Sequence, residues 1–387
     1  MKVALIDPSL FTGPYDLGLR EGLRQAGDDA RLFTKRLTRE DPIGPDADVI
    51  QHFYRILPEA LLALPRPIVR GMKGVSYIAD LRRLIVALER WRPDIIHFQW
   101  VPLPVMDALF LPKLRQLAPL ILTVHDSNPY MGSPGTRIMR IGAFDILKRF
   151  DRLIVHTDEA RARVAAQGVP DEKIAKIPHG ILHAESAGAA VRAAERADGA
   201  IDILMFGKLR PYKGLDVLIR AIAQLTPAQR TKCRVHVVGK PYMDVRPLAA
   251  LMAELGVESS FTLDLRFIAD EEIGPIFNRA DVAVFPYREI DASGVLMAAI
   301  ASGCAIVASR VGSFAEILED EREALLVPPG DEAALARALG RIIDDPVLRR
   351  RLAEGARAVE RAVPSWPEIG RTTHALYEAA IRTPQPA

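Results

Sequence analysis

The sequence predicts an α/β protein built from two Rossmann-like domains, each with a parallel sheet. In both halves of the chain, apolar runs of strand length alternate with segments of helix length. This pattern is typical of parallel sheets with helices on both faces. The 387 residues also exceed the size at which a single hydrophobic core stops growing. We expect a first domain at residues 1–182, a linker at 183–200 and a second domain at 201–365.

Each domain is predicted from its own set of strands. In the first half these are residues 3–6, 30–33, 48–51, 94–98, 120–124, 153–155 and 174–177. In the second half they are residues 201–206, 234–238, 261–263, 281–285, 305–308 and 324–327. The segment between the two sets is rich in alanine and charge and lacks a strand pattern, which favours a linker. Because ligands bind at the carboxyl ends of such strands, the residues there are the candidates for a site.

The overall composition excludes several classes of protein. A net charge of +2 argues against a general nucleic-acid binder. No run approaches ~18 apolar residues, so we expect no transmembrane helix, and the first residues form a strand rather than a secretion signal. Cys233 and Cys304 lie in apolar neighbourhoods, which favours buried free thiols over a disulfide or a metal site. These features together predict a cytoplasmic protein.

The turn after the strand at 201–206 carries the strongest chemical signal in the chain. It contains two glycines and three cations, which are Gly207, Lys208, Arg210, Lys213 and Gly214. Glycine lets the backbone approach a ligand closely, and apolar residues at helical spacing follow the turn. Cations beside the free N–H groups of a helix start suit a phosphate or pyrophosphate. We expect Lys213 to be partly solvated, and a solvated basic turn without a ligand is the alternative.

Two further elements lie at strand ends in the second domain. Gly239 precedes a cation, Lys240, after one strand. Arg266, Phe267 and Ile268 follow the next, where their backbone groups can meet the edge of a base.

A third element of the second domain is a predicted helix start at residue 294. Ser293 is the expected N-cap, and Gly294 and Val295 begin the helix. The free N–H groups of a helix start can bind an anion. An ordinary capped helix explains the same pattern equally well.

Four of the eight histidines fall at strand ends in the first domain, namely His97, His125, His156 and His179. No short pairing of histidine and cysteine accompanies them, so we expect no zinc site. Imidazoles gathered at one edge of a sheet would suit sugar hydroxyls. A packed side chain that holds a carbonyl group is the alternative for each.

Residues 69–91 form a predicted basic amphipathic helix. Its basic residues are Arg70, Lys73, Arg82, Arg83 and Arg90. A core helix with a solvated polar face is the favoured interpretation. A helix that binds a membrane surface is the alternative.

On these motifs the chain resembles the GT-B glycosyltransferases of family 4, often called group 1. The turn at 206–214 resembles the family's diphosphate-binding turn, with Lys213 as its last lysine and Lys208 in place of the earlier cation. His125 with Asp126 resembles the strand-end histidine near the donor sugar.

Two other motifs extend the resemblance over nearly the whole chain. His179-Gly180 resembles the signal that precedes the crossing between domains, and Ser365-Trp366 resembles the start of the final helix. The resemblance implies two domains that face each other across a cleft. It also implies that the first binds the acceptor, that the second binds the nucleotide sugar, and that a helix at 366–381 returns to the first domain.

The chain departs from the family at two glutamates that are separated by seven residues. The corresponding positions hold Ile290 and Ala298, and Glu289 and Asp291 flank the first of them. Donor binding must therefore differ, because the second glutamate holds the nucleotide ribose in the family. A subset with the Arg-Pro-Tyr-Lys-Gly turn resembles this chain in having Ser-Gly-Val at the helix start. The first loop has Gly13 alone where the family has paired glycines.

The resemblance implies a retaining glycosyltransferase of the hexosyltransferase type. The implied catalytic residues are His125, Lys213 and Asp291, and the implied diphosphate ligands are Lys208, Arg210, Lys213, Ser293, Gly294 and Val295. The nucleotide is expected at Gly239, Arg266, Phe267 and Ile268, and the acceptor at Thr12, Gly13, Gln99 and Asn128. His179 and Gly180 are the implied interdomain residues.

The expected partners are a nucleotide-diphosphate sugar and a glycan or lipid-linked acceptor, with peripheral contact at the inner face of the membrane as an option. Cell-surface polysaccharide or glycolipid synthesis is the implied setting. No metal or other cofactor is expected, because the cations supply the charge that a phosphate needs, and turn chemistry explains the Asp-x-Asp at Asp46 and Asp48.

Two other functions stay open. The missing glutamates favour a noncatalytic nucleotide-sugar-binding subunit of a polysaccharide assembly complex. A sugar-nucleotide epimerase would keep the fold, although no set of carboxylates in the sequence suits proton abstraction.

Overall fold

A computed structural model of the chain describes residues 1–38, 41, 43, 46–55, 66–128, 141–182 and 199–382, without the side chains of 66, 67 and 70. These residues form two units, and each unit has its own parallel sheet. The first unit extends to Gly180 and resumes at Pro364, and the second extends from Ile181 to Val363. The predicted α/β class is confirmed. The predicted linker lies outside the described residues, apart from 199 and 200.

The sheet of the first unit has seven parallel strands in the order β3-β2-β1-β4-β5-β6-β7. They are β1 (Lys2–Asp7), β2 (Asp29–Lys35), β3 (Val49–Phe53), β4 (Ile95–Phe98), β5 (Leu120–Thr123), β6 (Arg152–Val155) and β7 (Ile174–Lys176). The helices described between them are α1 (Gly13–Gln25), α2 (Arg66–Trp91), α3 (Pro104–Arg115) and α4 (Asp158–Ala166). Strands β4 and β5 are buried along their whole length, which explains why three of the four residues in each are apolar.

The sheet of the second unit has six parallel strands in the order β10-β9-β8-β11-β12-β13. They are β8 (Ile201–Phe206), β9 (Cys233–Val238), β10 (Phe261–Asp264), β11 (Val282–Phe285), β12 (Ala305–Ser309) and β13 (Leu325–Val327). The helices are α5 (Leu215–Ala223), α6 (Pro227–Lys232), α7 (Arg246–Glu254), α8 (Asp270–Arg279), α9 (Gly294–Ser302), α10 (Gly312–Ile317), α11 (Glu332–Asp344) and α12 (Pro346–Ala362). All the predicted strands of both halves are present, with ends that differ by at most two residues.

The last helix, α13 (Trp366–Arg382), belongs to the first unit, as predicted for the returning helix. It crosses α1 at residues without side chains. A Cβ at Gly22 would lie 2.1 Å from the carbonyl oxygen of Trp366, and a Cβ at Gly370 would lie 2.1 Å from that of Gly22. A Cβ at Gly18 would lie 2.3 Å from the Trp366 indole. The two helix backbones therefore pack in direct contact.

The apolar face of α2 packs in the core of the first unit. Tyr77, Leu81, Leu84 and Leu88 are buried there, which confirms the core interpretation of this helix. Within the described ranges, no helix has both the length and the apolar character needed to cross a bilayer.

The two cysteines lie in the second unit. Cys233 and Cys304 are both free and buried, as predicted from their apolar neighbours. In the part of the chain that the structure describes, no cluster of three or more histidine, cysteine or acidic side chains has an arrangement suited to a metal ion.

We expect Gly22→Ala to destabilise the first unit by about 1–3 kcal/mol, because a methyl group at the crossing with α13 must displace backbone atoms. The matched control is Gly71→Ala, which also lies in a helix but would place its Cβ where no atom lies within 4 Å. The control should be neutral or stabilising by up to about 1 kcal/mol, since alanine is the better helix former. Urea unfolding followed by circular dichroism measures both, and equal effects would contradict the close crossing.

Candidate functional site

The turn after β8 has a backbone that favours glycine at two positions. Gly207 has φ +111° and Gly214 has φ +71°, and residues with side chains rarely adopt such values. A Cβ at Gly214 would also lie 2.0 Å from the carbonyl oxygen of Pro286. Between the glycines, Pro211–Lys213 forms a single 3-10 turn that leads into α5. The predicted strand, tight turn and helix start are therefore confirmed.

The side chain of Lys213 runs beneath this turn, and only 5% of its surface is exposed. Its Nζ donates to the carbonyl oxygen of Phe206 at 3.3 Å and lies 5.0 Å from the centre of the Tyr287 ring. A Cβ at Gly207 would come within 2.7 Å of the same nitrogen, so the turn covers the amine directly. The expectation of a partly solvated lysine is wrong, because the backbone of the turn folds over the side chain.

The burial of Lys213 has an electrostatic consequence. Loss of solvent, followed by the charges of Lys208 and Arg210, lowers the pKa of Lys213 from 10.5 to about 7. Lys208 is exposed, and the guanidinium carbon of Arg210 lies 5.3 Å from the centre of the Tyr242 ring. The turn thus holds three basic groups, one of which gives up its proton near neutral pH unless an anion stabilises it.

The N-terminus of α9 contacts the same turn, since a Cβ at Gly207 would lie 3.2 Å from Cγ2 of Val295. Ser293 caps the helix as predicted, and its Oγ accepts a hydrogen bond from the N–H of Leu296 at 3.2 Å. The N–H groups of the first turn of a helix lie outside the intrahelical ladder, and they attract anions. The structure therefore brings the buried amine of Lys213 and a capped helix start together.

Asp291 is buried in the loop before α9, with 3% of its surface exposed. Its carbonyl oxygen accepts from the N–H of Ser313 at 2.8 Å. A Cβ at Gly312 would lie 1.7 Å from the carbonyl oxygen of Ile290, so the start of α10 holds this loop from the other side. The contact between Asp291 and a sugar stays a prediction, and its side chain lies inside the unit rather than on the surface.

The residues predicted to hold the nucleotide follow β9 and β10. Gly239 has φ +137°, and a Cβ there would lie 2.2 Å from a carbonyl oxygen of the turn after β8. Arg266 pairs with Glu272 through two contacts of 2.8 and 2.5 Å, which hold its guanidinium. Phe267 has 38% of its surface exposed, whereas Ile268 is buried in the core.

The four strand-end histidines of the first unit lie in different environments. His97 and His156 are buried, whereas His125 and His179 are half-buried. Burial lowers the pKa of His97 and of His156 to about 3 and that of His179 to about 4, and it also lowers the pKa of His125. All four rings are therefore neutral at physiological pH. His97 and His156 fit the alternative interpretation of a packed side chain, because both rings are enclosed by the unit.

Tyr15 on α1 contacts three of these four rings, and the sequence analysis missed it. Its ring centre lies 4.7 Å from that of His125, 5.2 Å from that of His156 and 5.1 Å from that of His179. The indole of Trp366 on α13 lies 5.4 Å away. Nothing in the sequence distinguishes Tyr15 from an ordinary core aromatic residue on a helix, so no local signal could have revealed it.

Thr12 and Gly13 lie at the start of α1, next to two buried acids. Thr12 donates its backbone N–H to Asp7 at 3.0 Å and its hydroxyl to Asp16 at 3.0 Å. Burial raises the pKa of both Asp7 and Asp16 above the ordinary value. A Cβ at Gly13 would press on the side chain of Leu10 at 3.1 Å. Thr12 is therefore engaged within its own loop.

Gln99 and Asn128, also predicted on the acceptor side, follow β4 and β5. Gln99 is buried, and its amide contacts His97 at 3.3 Å and His125 at 3.2 Å. Asn128 is exposed, and its N–H donates to Asp126 at 3.1 Å. Gln99 can therefore act on a ligand only through its neighbours, whereas Asn128 lies at the surface.

His179 and Gly180 end the first part of the first unit. Nδ1 of His179 contacts the carbonyl oxygen of Gly180 at 2.7 Å. A Cβ at Gly180 would lie 2.8 Å from the Trp366 indole, so α13 covers the point where the chain leaves this unit.

Two family models match the chain, one in each unit. The model described as glycosyl transferase 4-like domain matches residues 12–180, and the model described as glycosyl transferases group 1 matches residues 200–345. Together they cover most of the chain. The chain belongs to the group 1 glycosyltransferases.

Curated relatives of this glycosyltransferase include two enzymes named D-inositol 3-phosphate glycosyltransferase. The one from Acidothermus cellulolyticus is 33% identical over 70% of this chain and 59% of its own length. The one from Kineococcus radiotolerans is 32% identical over 62% of this chain and 60% of its own length. The chain thus spans about 60% of the length of these curated relatives.

Solved structures confirm the GT-B fold of the glycosyltransferase. Sucrose-phosphate synthase from Thermosynechococcus elongatus superposes with a TM-score of 0.75 at 22% identity, over 98% of both chains. HepE from Anabaena, in complex with UDP-glucose, superposes with a TM-score of 0.72 at 18% identity, over 98% of this chain and 100% of its own. At these identities the likeness concerns the fold alone.

Two cavities of the glycosyltransferase differ in their relation to the candidate residues. A cavity of about 50 Å³ lies at the ends of β4 and β5, with His125 and Trp100 in its wall. A groove of about 670 Å³ lies along α11, with Gln229 and Arg337 in its wall. The groove is larger, but none of the predicted site residues lines it, so we assign no role to it.

We expect Lys213→Met to stabilise the ligand-free glycosyltransferase near pH 7, because it removes a cation from a buried position. The unfolded lysine keeps its proton up to pH 10.5, whereas the folded one loses it near pH 7. The buried charge therefore lowers the free energy of unfolding by its full amount below pH 7, and this destabilisation disappears as the pH rises to 10.5. The advantage of the variant should shrink over this range by up to ~1.4 kcal/mol per pH unit.

Thermal unfolding at about pH 7, 8.5 and 10 measures this difference. The matched control is Lys208→Met, because Lys208 lies in the same turn but is exposed. Its effect on stability should change much less with pH, because the charge of Lys208 lowers the pKa of Lys213 less than burial does. The same pH dependence in both variants would contradict the burial of the Lys213 charge.

Proposed function

We propose that this glycosyltransferase moves a hexosyl group from a nucleotide-diphosphate sugar to an acceptor hydroxyl, with retention of the anomeric configuration. The observation that carries the proposal is the buried amine of Lys213 under the turn after β8, next to the N-terminus of α9. A cation and helix N–H groups at one place are what a leaving diphosphate requires. We assign the nucleotide sugar to the second domain and the acceptor to the first.

The proposed chemistry follows from where charge develops. The leaving diphosphate gains negative charge as the bond to the sugar breaks, so its attraction to Lys213 strengthens toward the transition state. In the absence of an anion, the amine is partly neutral because its pKa is about 7. A bound diphosphate would raise that pKa and restore the full charge. The leaving phosphate would then take the proton of the acceptor hydroxyl on the same face of the sugar.

The named relatives suggest which substrates to test first. HepE has been solved with UDP and with UDP-glucose, and the curated relatives are D-inositol 3-phosphate glycosyltransferases. We propose UDP-sugars as the first donors, with GDP-sugars as the alternative. Inositol phosphates, glycans and lipid-linked sugars are the acceptors to test. A role in cell-surface polysaccharide or glycolipid synthesis would fit such acceptors.

A noncatalytic nucleotide-sugar-binding subunit is the second candidate function. It is motivated by Ile290 and Ala298, which occupy the two positions where the resemblance to the family implies glutamates, and Ala298 is buried. Release of free nucleoside diphosphate separates the candidates. Slow release without an acceptor, accelerated by one, supports the transferase, and binding without release supports the subunit. Conversion of the sugar without release would instead indicate an epimerase.

We expect Lys213→Met to lower kcat by roughly 10²–10³-fold, the usual cost of losing one preorganised group that stabilises a developing anion. Methionine is preferred to alanine because the position is buried and its volume should be kept. Lys213→Arg should recover only part of the rate, since a planar guanidinium does not replace a compact ammonium. Initial rates of nucleoside diphosphate release measure all three proteins.

The control for this series is Lys208→Ala. Lys208 is exposed, and Arg210 lies two residues away and can share its role, so the loss of rate should be smaller than for Lys213. A folded Lys213→Met protein with near-normal turnover on a confirmed donor and acceptor would defeat the proposed role of the lysine.

We propose that the reaction needs no metal ion, because the cations of the turn and the start of α9 supply the charge that a diphosphate requires. Dialysis against EDTA should therefore leave turnover within about twofold of its initial value. Loss of most activity, followed by its return when magnesium or manganese is added, would refute this.

We also propose peripheral membrane contact through the solvated face of α2. Val75 has 72% and Val86 has 45% of its surface exposed, and the exposed side chains of Arg82 and Arg90 lie on the same side of the helix. Such a face suits an anionic lipid surface. Arg82→Glu with Arg90→Glu should reduce co-sedimentation with anionic vesicles by about thirtyfold or more, since each cation near the surface contributes about 1 kcal/mol.

The control for the membrane experiment is Lys232→Glu with Arg234→Glu, two exposed residues of the second unit. This pair makes the same change in net charge away from α2 and should leave the binding unchanged. Equal partitioning of the wild type onto neutral and anionic vesicles would count against the proposal.

A further inference from the structure

The amine of Lys213 is a buried base for which the described part of the chain provides no carboxylate partner. Its Nζ donates to the carbonyl oxygen of Phe206 at 3.3 Å, and the centre of the Tyr287 ring lies 5.0 Å away. After burial itself, the charges of Lys208 and Arg210 on the same turn lower the pKa of Lys213 further. A buried cation without an ion pair needs another source of negative potential. The face of an aromatic ring is such a source.

The charged groups on the elements around the turn do not take that part. Arg288, after β11, pairs with Asp216 on α5 at 2.6 Å. Asp291 is buried in the loop before α9 and is not among the groups whose charge affects the Lys213 amine. The first turn of α9 carries no acidic residue. Among the described side chains, the ring of Tyr287 is therefore the one that can offset the charge of the amine.

The fold holds the Tyr287 ring in a fixed place. Strand β11 pairs with β8, with Ala283 opposite Leu204, so the chain after β11 runs beside the turn after β8. Only 1% of the surface of Tyr287 is exposed, and its ring centre lies 5.3 Å from that of Phe314. A ring packed in this way cannot turn aside when the amine gains or loses its proton.

The same contacts decide which N–H group of the amine can meet a ligand. An ammonium has three N–H donors in a tetrahedral arrangement. One is directed to the carbonyl oxygen of Phe206, and the ring of Tyr287 lies against the amine. Within the described ranges the amine of Lys213 has no further partner, so at least one N–H group is available to an anion.

We propose that Tyr287 is a positioning residue, whose ring face stabilises the charged form of the Lys213 amine and leaves an N–H group of that amine for a phosphate oxygen. The hydroxyl of Tyr287 has no part in this role. It lies near Ser293 without a hydrogen bond of ordinary geometry. The consequence for a diphosphate rests on the proposed function, whereas the effect of the ring on the amine does not.

Fluorination of the ring tests the proposal without a change of shape. Tyr287→Phe keeps the ring face, so the pKa of Lys213 should stay within about 0.3 of its wild-type value. Replacement of Tyr287 by 3,4,5-trifluorophenylalanine withdraws electron density from the face, and the pKa should fall by about one unit. The 3,5-difluoro analogue should give a smaller fall, and it serves as the second variant if the first does not fold. A pKa that is equal in Tyr287→Phe and in the fluorinated proteins would overturn the proposal.

The pKa is measured on the ligand-free protein by nuclear magnetic resonance of ¹³C,¹⁵N-labelled lysine between about pH 5 and pH 9. The Lys213 signal is the one that is lost in Lys213→Met. The matched control is 3,4,5-trifluorophenylalanine in place of Phe314, a buried ring that contacts Tyr287 but is not a partner of the amine. It should leave the pKa of Lys213 unchanged. An equal fall in the control would also overturn the proposal.

The affinity for UDP at two pH values separates this role from a merely structural one. A diphosphate binds the charged amine, so the apparent affinity follows the charged fraction of the free protein. With a pKa about one unit lower, the trifluorinated protein should bind UDP about tenfold more weakly than Tyr287→Phe at pH 8 but only about twofold more weakly at pH 6. An equal loss at both pH values would indicate a change of shape and overturn the role. If UDP does not bind the wild type while the pKa falls as expected, the proposed function fails for this nucleotide and the effect of the ring is supported.

Discussion

A lysine amine held beneath a backbone turn is the constraint on which the candidate site of the second unit depends. The amine of Lys213 lies against the turn so closely that Gly207 has no room for a side chain. Arg288 fastens the turn from outside, because it bonds to the carbonyl oxygen of Pro211 at 3.0 Å and pairs with Asp216 at 2.6 Å. The cost of burying the charge is visible in its pKa of about 7. A site that has already excluded water from its cation does not need to reorganise when an anion arrives, which is the physical meaning of preorganisation.

The first unit shows the opposite electrostatic design. Its candidate site is lined by imidazole rings that burial keeps neutral, so it presents dipoles rather than charges. Two side chains of α13, Trp366 and Tyr377, complete this environment from the far end of the chain. The glycine crossing with α1 is what allows α13 to lie close enough for those contacts. Neutral polar groups suit hydroxyl-bearing sugars, and the charges of the second unit suit a diphosphate.

The sequence was sufficient to predict the strands because many of them are short apolar runs that are buried along their whole length, as in β8 and β12. It was also sufficient for the glycine turn and the Ser293 cap, whose signals are local. It could not predict the burial of Lys213, which depends on Tyr287, a residue of another strand end. Nor could it predict that Tyr377 bonds to His97, because those residues are 280 positions apart. Local chemistry is readable in the sequence, whereas solvation is decided by packing.

The most direct test of the account is calorimetric titration of the wild type and of Lys213→Met with UDP and with GDP. Repeating each titration in buffers of different ionisation enthalpy gives the number of protons taken up or released on binding. With a pKa of about 7 in the free protein, the lysine is mostly neutral at about pH 8 and should be recharged by the bound diphosphate. For whichever nucleotide binds, the account predicts that the wild type takes up close to one proton more on binding than Lys213→Met does. Binding with the same proton uptake in both proteins would contradict it.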